Sequence, residues 1–124
     1  MNPLELLAVA LAGGAGAGLR WLVDAWLRSP RGLPWPILVV NVTGCYAMAL
    51  LAAAFHLSAS VPAWLTVVTA GLLGGYTTFS TVSVDTVELW LARRHIAAVA
   101  NGVGTLLLCA VASALGLLTA AILG

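Results

Sequence analysis

Four apolar stretches, at about residues 4–27, 35–57, 62–91 and 96–123, take up nearly all of this 124-residue chain. A helix that crosses a bilayer needs about 20 consecutive, mostly apolar residues, and each stretch is long enough. Only 7% of the residues are charged and 62% are hydrophobic, whereas a soluble domain carries about 25% charged residues. Such a chain could not clothe a water-facing surface. The expected fold class is an all-α integral membrane protein, with residues 1–124 forming a single domain of four transmembrane helices. With a net charge of +1 and no lysine, there is no basic patch for nucleic acid.

The links between the stretches are short. Ser29-Pro30-Arg31-Gly32-Leu33-Pro34 has strong turn chemistry, Ser58-Ala59-Ser60 ahead of Pro62 suits a helix start, and Arg93-Arg94-His95 forms the last link. The first stretch has no positive side chain ahead of it and carries Glu5, so it reads as a retained span and not a signal peptide. Gly13, Gly14, Gly16 and Gly18 crowd that helix. A glycine-rich nucleotide loop would need a preceding strand, which is lacking, so close helix packing is the better reading. Gly14 and Gly18 have the spacing that lets helices approach in lipid. Four short helices this rich in small residues enclose little alone, and oligomerisation is expected. Cys45 and Cys109 sit in apolar surroundings and read as small buried hydrophobes, in preference to a disulfide or a metal site.

Arg20 and Asp24 lie four apart and share a helix face, as a snorkelling pair near an interface or as a helix–helix contact. Asp85 and Glu88 with Arg93 and Arg94 read as an interfacial charge cluster in preference to a proton relay, and His56 and His95 lie near segment ends without a metal or pH role. Arg28 and Arg31 flank the first link and Arg93 and Arg94 the third, while the second link and both termini hold no arginine. The positive-inside rule then puts those two links in the cytoplasm and both termini outside.

The third stretch is too long for one straight helix. It contains Gly74-Gly75-Tyr76-Thr77-Thr78-Phe79-Ser80-Thr81-Val82-Ser83. Each glycine costs a helix about 1 kcal/mol against alanine, so a break is expected at Gly74-Gly75, within residues 74–80. Interrupted backbone at membrane depth survives only inside protein or beside a water-filled cavity. Asn41 stands alone in the second stretch; Ser80, Thr81 and Ser83 follow the break; Asn101, Thr105, Cys109 and Ser113 recur every four residues on the fourth. Each alone would serve as interhelical hydrogen-bonding glue, but together beside a break they suggest a polar track. Neutral N–H and O–H donors with no central carboxylate suit a small anion or a neutral polar solute. Phe79 adds a ring with an electropositive edge.

The chain resembles the CrcB/Fluc family of small fluoride channels over essentially its whole length. The resemblance rests on the glycine-rich first helix ending at Arg20, on Val40-Asn41-Val42-Thr43-Gly44, on Gly74-Gly75-Tyr76-Thr77-Thr78-Phe79-Ser80-Thr81, and on the polar fourth helix from Asn101. It implies passive fluoride export across the cell membrane, with ion permeation and not enzymatic catalysis as the activity. It further implies subunits paired antiparallel, with the broken third helix at the dimer centre. By position it places Asn41, Phe79, Ser80, Thr81, Val82, Ser83, Asn101 and Thr105 along the fluoride pathway, and gives the backbone carbonyls of Gly74 and Thr77 to a structural sodium ion (Na+) between subunits. Fluoride, membrane lipid and a second subunit, identical or a sister chain, are the partners implied.

Two departures matter. Val82 stands where the family pattern has a second phenylalanine, and Pro36-Ile37 replaces a Gly-Thr ahead of the asparagine region. If the two phenylalanines around one ion come from different subunits, a homodimer would lack half its aromatic contacts. With the one-sided arginines, this favours one partner of a heterodimeric channel. The rivals are a small proton-coupled multidrug-type transporter, which needs a mid-helix carboxylate that Glu5 and Asp24 do not supply, and a non-conducting accessory subunit.

Overall fold

The computed structural model describes residues 1–28, 33–55 and 60–124. The turn expected at 29–32, and His56, Leu57, Ser58 and Ala59, lie outside the described residues. The elements are α1 (Pro3–Leu27), α2 (Trp35–Ala54), α3 (Ala63–Thr66), a π-helical stretch (Val67–Leu73), α4 (Gly74–Tyr76), α5 (Phe79–Leu91) and α6 (His95–Leu123). Among the described residues every regular element is helical. Four runs are long and apolar enough to cross a membrane: Pro3–Leu27, Trp35–Ala54, Ala63–Leu91 and His95–Leu123. The protein is a multi-pass membrane protein. The second helix ends at Ala54, earlier than the expected 57, because Phe55 leaves helical geometry at φ −107°, ψ 1°.

Helix ends follow their local chemistry. The Asn2 side chain accepts from the Glu5 amide at 2.8 Å, and the Asn2 amide donates to Glu5 Oε2 at 3.1 Å. This reciprocal cap, with Pro3 in the first turn, starts α1. Arg93 ends the α5 run in left-handed backbone, φ 59°. The Arg93 and Arg94 amides then donate back to the Trp90 and Leu89 carbonyls, at 3.0 and 2.9 Å.

Two backbone-close interfaces hold the bundle together. α2 packs most extensively on α6, and α1 on the π-helical stretch and α4. A Cβ on Gly116 would stand 2.6 Å from the Tyr46 carbonyl oxygen, so α6 needs glycine there to approach α2. A Cβ on Gly71 would stand 2.8 Å from the Val9 carbonyl oxygen, and one on Gly75 would stand 2.8 Å from the Gly13 carbonyl carbon. A Cβ on Gly16 would stand 2.8 Å from the Tyr76 amide nitrogen, so α1 makes its close contacts at Val9, Gly13 and Gly16. Gly14 and Gly18, whose spacing suggested that role, face away from the chain's own helices: a Cβ added to either would have nothing within 4 Å. Large side chains such as Trp21, Trp26, Leu106 and Ile122 are exposed, as suits helices solvated by lipid.

Candidate functional site

The third run is interrupted two residues beyond the glycines. Gly74 is helical, at φ −62°, ψ −39°. Thr77 (φ −76°, ψ 155°) and Thr78 (φ −151°, ψ 127°) are extended, and α5 restarts at Phe79. Every backbone group set loose here needs a partner, since lipid supplies none. Asn41 Nδ2 donates to the Thr78 carbonyl at 2.9 Å, and the Thr78 amide donates to Asn41 Oδ1 at 2.8 Å. Asn41 is only 4% exposed, so its amide clamps one residue of a neighbouring helix run from both sides. The Thr78 hydroxyl caps α5 by accepting from the Thr81 amide at 3.3 Å, and lies 3.2 Å from both Ser80 Oγ and Thr81 Oγ1. Arg20 Nη1 donates to the Thr77 carbonyl at 3.1 Å.

Below the interruption is a cavity of about 270 Å³ lined by Asn41, Cys45, Thr77, Thr78, Phe79, Val82, Gly102, Thr105, Leu106 and Cys109. Among the described residues no charged side chain lines it. α5 begins at this cavity, and the N-terminus of a helix carries a partial positive charge. The pathway candidates Asn41, Phe79, Val82 and Thr105 thus meet around one space, with Thr77 at its edge.

Other candidates lie elsewhere. Thr81 lines a second cavity, of about 400 Å³, together with Asp24, Arg28, Asp85, Glu88 and Arg94. This cavity brings the ends of the first and third long runs and the start of α6 to one end of the bundle. Ser83 Oγ donates to the Phe79 carbonyl at 3.0 Å, within its own helix. Asn101 Nδ2 donates to Thr86 Oγ1 at 2.9 Å and reaches the Val82 carbonyl at 3.4 Å, joining α6 to α5. Ser80 is exposed and lines neither cavity. Gly74 is exposed too, and a Cβ on it would meet only the Thr69 carbonyl oxygen, at 3.7 Å.

A family model described as CrcB-like protein, Camphor Resistance (CrcB), matches residues 7–117. The chain belongs to the CrcB family. Among its relatives, "Fluoride-specific ion channel FluC 1" of Leifsonia xyli subsp. xyli is 42% identical over 119 residues, covering 94% of this chain and 87% of the relative. "Fluoride-specific ion channel FluC 1" of Rubrobacter xylanophilus is 41% identical over 110 residues, covering 87% and 86%. "Fluoride-specific ion channel FluC" of Bordetella avium is 40% identical over 128 residues, covering 98% and 97%.

In this CrcB chain one expected contact is replaced by another. Arg20 does not pair with Asp24. Its guanidinium turns to the Thr77 carbonyl, which the extended backbone exposes, and Asp24 pairs with Arg28 one turn on. That bond raises the pKa of the exposed Arg28 still further above its ordinary value. Sequence reasoning gave no site role to Thr78, Thr86 or Cys45. Thr78 had a readable signal, a hydroxyl residue immediately ahead of a helix. Thr86 and Cys45 had none, because only packing across helices reveals their partners.

Proposed function

We propose that the chain is a subunit of a fluoride-selective channel that lets cytoplasmic fluoride leave passively. One observation carries this beyond family membership: the cavity beside the Thr77–Thr78 interruption has amide and hydroxyl donors, a helix N-terminus and, among the described residues, no charged lining. Fluoride is small and strongly hydrated. A route for it must replace water with N–H and O–H donors and must avoid carboxylates, which repel it. Phe79 borders the same space, and the edge of an aromatic ring is positive. Hydrogen fluoride enters cells as a neutral acid and dissociates inside, and a potential of 100 mV contributes about 2.3 kcal/mol per charge to drive the anion out. No energy coupling is needed, and among the described residues no carboxylate of the kind a proton-coupled transporter requires lines the cavity.

In this reading the third run is a broken helix at the centre of an antiparallel dimer. Phe79 is 85% exposed beside the interruption, on the face that a second subunit would cover. The gathering of Arg28 and Arg94 at one end of the bundle supports a single preferred orientation, and Val82, which lines the pathway cavity without an aromatic edge, supports a sister chain as the partner. The carbonyls of Gly74 and Thr77 suit a structural sodium ion. A continuous helix would bond them to the amides of Thr78 and Thr81, but those amides go to Asn41 and to the Thr78 hydroxyl. Oxygen ligands from backbone fit a hard cation, and the Thr77 carbonyl keeps a second lone pair beside Arg20. Sodium, but not a large organic cation, should therefore raise the melting temperature of the dimer. Thr77→Ala should preserve that rise, because the Thr77 hydroxyl donates to the Leu73 carbonyl, at 3.1 Å, and the ion would rest on backbone oxygens.

The functional test is growth. A bacterial strain stripped of its own fluoride exporters should regain tolerance of millimolar-range fluoride when it makes this chain with a second CrcB-family chain from the same cell. Unchanged sensitivity, with both chains present in the membrane, would refute the proposal.

A further inference from the structure

Two thiols meet inside the pathway cavity. Cys45 lies one turn beyond Asn41 on α2, and Cys109 one turn beyond Thr105 on α6. Both are free and half-buried. Both line the same cavity of about 270 Å³, and each thiol lies within electrostatic reach of the other. The helices that carry them form the most extensively packed pair in the bundle, so the sulfurs are positioned by rigid elements and not by loops. A membrane cysteine that only fills space, the ordinary role of a buried thiol, needs no second thiol facing it across a cavity.

We propose that Cys45 and Cys109 form a two-thiol site for a soft, monovalent, two-coordinate metal ion of the Cu(I) or Ag(I) class, and that an ion held there closes the pathway. Soft sulfur ligands select ions of this kind. Zinc ordinarily takes four ligands from cysteine, histidine and carboxylate, and among the described residues the cavity offers only these two thiols. The reaction is ligand exchange. Two S–H bonds break, two metal–sulfur bonds form, and both protons pass to water in the cavity; no electron is transferred. The product, a dithiolate around one monovalent cation, carries one net negative charge. Asn41 and Thr105 stand one turn away on the same two helices and line the same space, where their polar groups moderate the cost of that charge. Closure follows from filling a narrow lumen and from repulsion between the bound complex and fluoride. Closure rests on the fluoride reading; binding does not.

Native mass spectrometry of the reduced, full-length assembled protein in chloride-free buffer, titrated with silver nitrate, tests the site. One silver ion per chain with loss of two protons is expected, and Cys45→Ser and Cys109→Ser should each abolish that species. Two silver ions per chain, one silver with a single proton lost, or a species unchanged in Cys45→Ser would overturn the site, and the first two outcomes are read on the unmodified protein. In liposomes the same silver concentration should arrest fluoride efflux, and excess dithiothreitol should restore it. Silver bound in the expected form while efflux continues would overturn closure. Absence of efflux before silver is added would count against the fluoride reading alone, since the mass measurement still decides the site.

Discussion

Asn41 clamps the backbone of another element and borders the cavity at the same time. Its amide holds the Thr78 carbonyl and amide at 2.9 and 2.8 Å, and it still lines the cavity. Asn41→Ala would leave both Thr78 groups buried without partners, at about 1–3 kcal/mol each. The expected result is a markedly lower melting temperature in detergent together with lost fluoride flux. Asn41→Asp keeps the acceptor for the Thr78 amide but replaces the donor with a carboxylate. It should suppress fluoride efflux more than it lowers the melting temperature, because the charge repels the permeating anion. Flux unchanged in Asn41→Asp, measured with a fluoride electrode, would remove Asn41 from the pathway.

At the scale of helices, the glycines act through space and not through flexibility. Gly75 was expected to break the third helix, yet it is helical and lets that run lie against the backbone of α1 at Gly13. Gly75→Ala should therefore cost about 1–3 kcal/mol by overpacking, whereas Gly14→Ala, with nothing near it in the chain, should leave the fold of the subunit intact. Thermal unfolding of the two variants side by side checks the contrast. Much of this level was readable from sequence. The four spans followed from hydropathy, and the cluster of hydroxyls after Tyr76 marked the region of the interruption. Its position was not readable, because residues 77 and 78 become extended only through partners 37 and 57 residues away, Asn41 and Arg20. The Arg20–Asp24 pairing misled for the same reason: spacing along one helix shows which residues share a face, but not that a carbonyl on another element is in reach. The residues around the cavity were legible in part through the family motif, while Cys45 and Thr86 gained their places only from packing of α2, α5 and α6.

For the whole molecule, the proposal of a second chain rests on the arginines gathered at one end and on Val82, which lines the cavity without an aromatic ring. The chain alone should give weak fluoride flux, and adding a second CrcB-family chain from the same cell should raise it severalfold. Strong flux from the lone chain inserted in both orientations would replace the sister subunit with a second copy of this chain, without touching the choice of ion. That choice is tested most directly by reading fluoride and chloride together as they leave liposomes holding this chain and its sister. Rapid fluoride release with chloride retained is expected. Release of both anions alike, or of neither from vesicles that contain folded dimer, would contradict a fluoride-selective pathway through this protein.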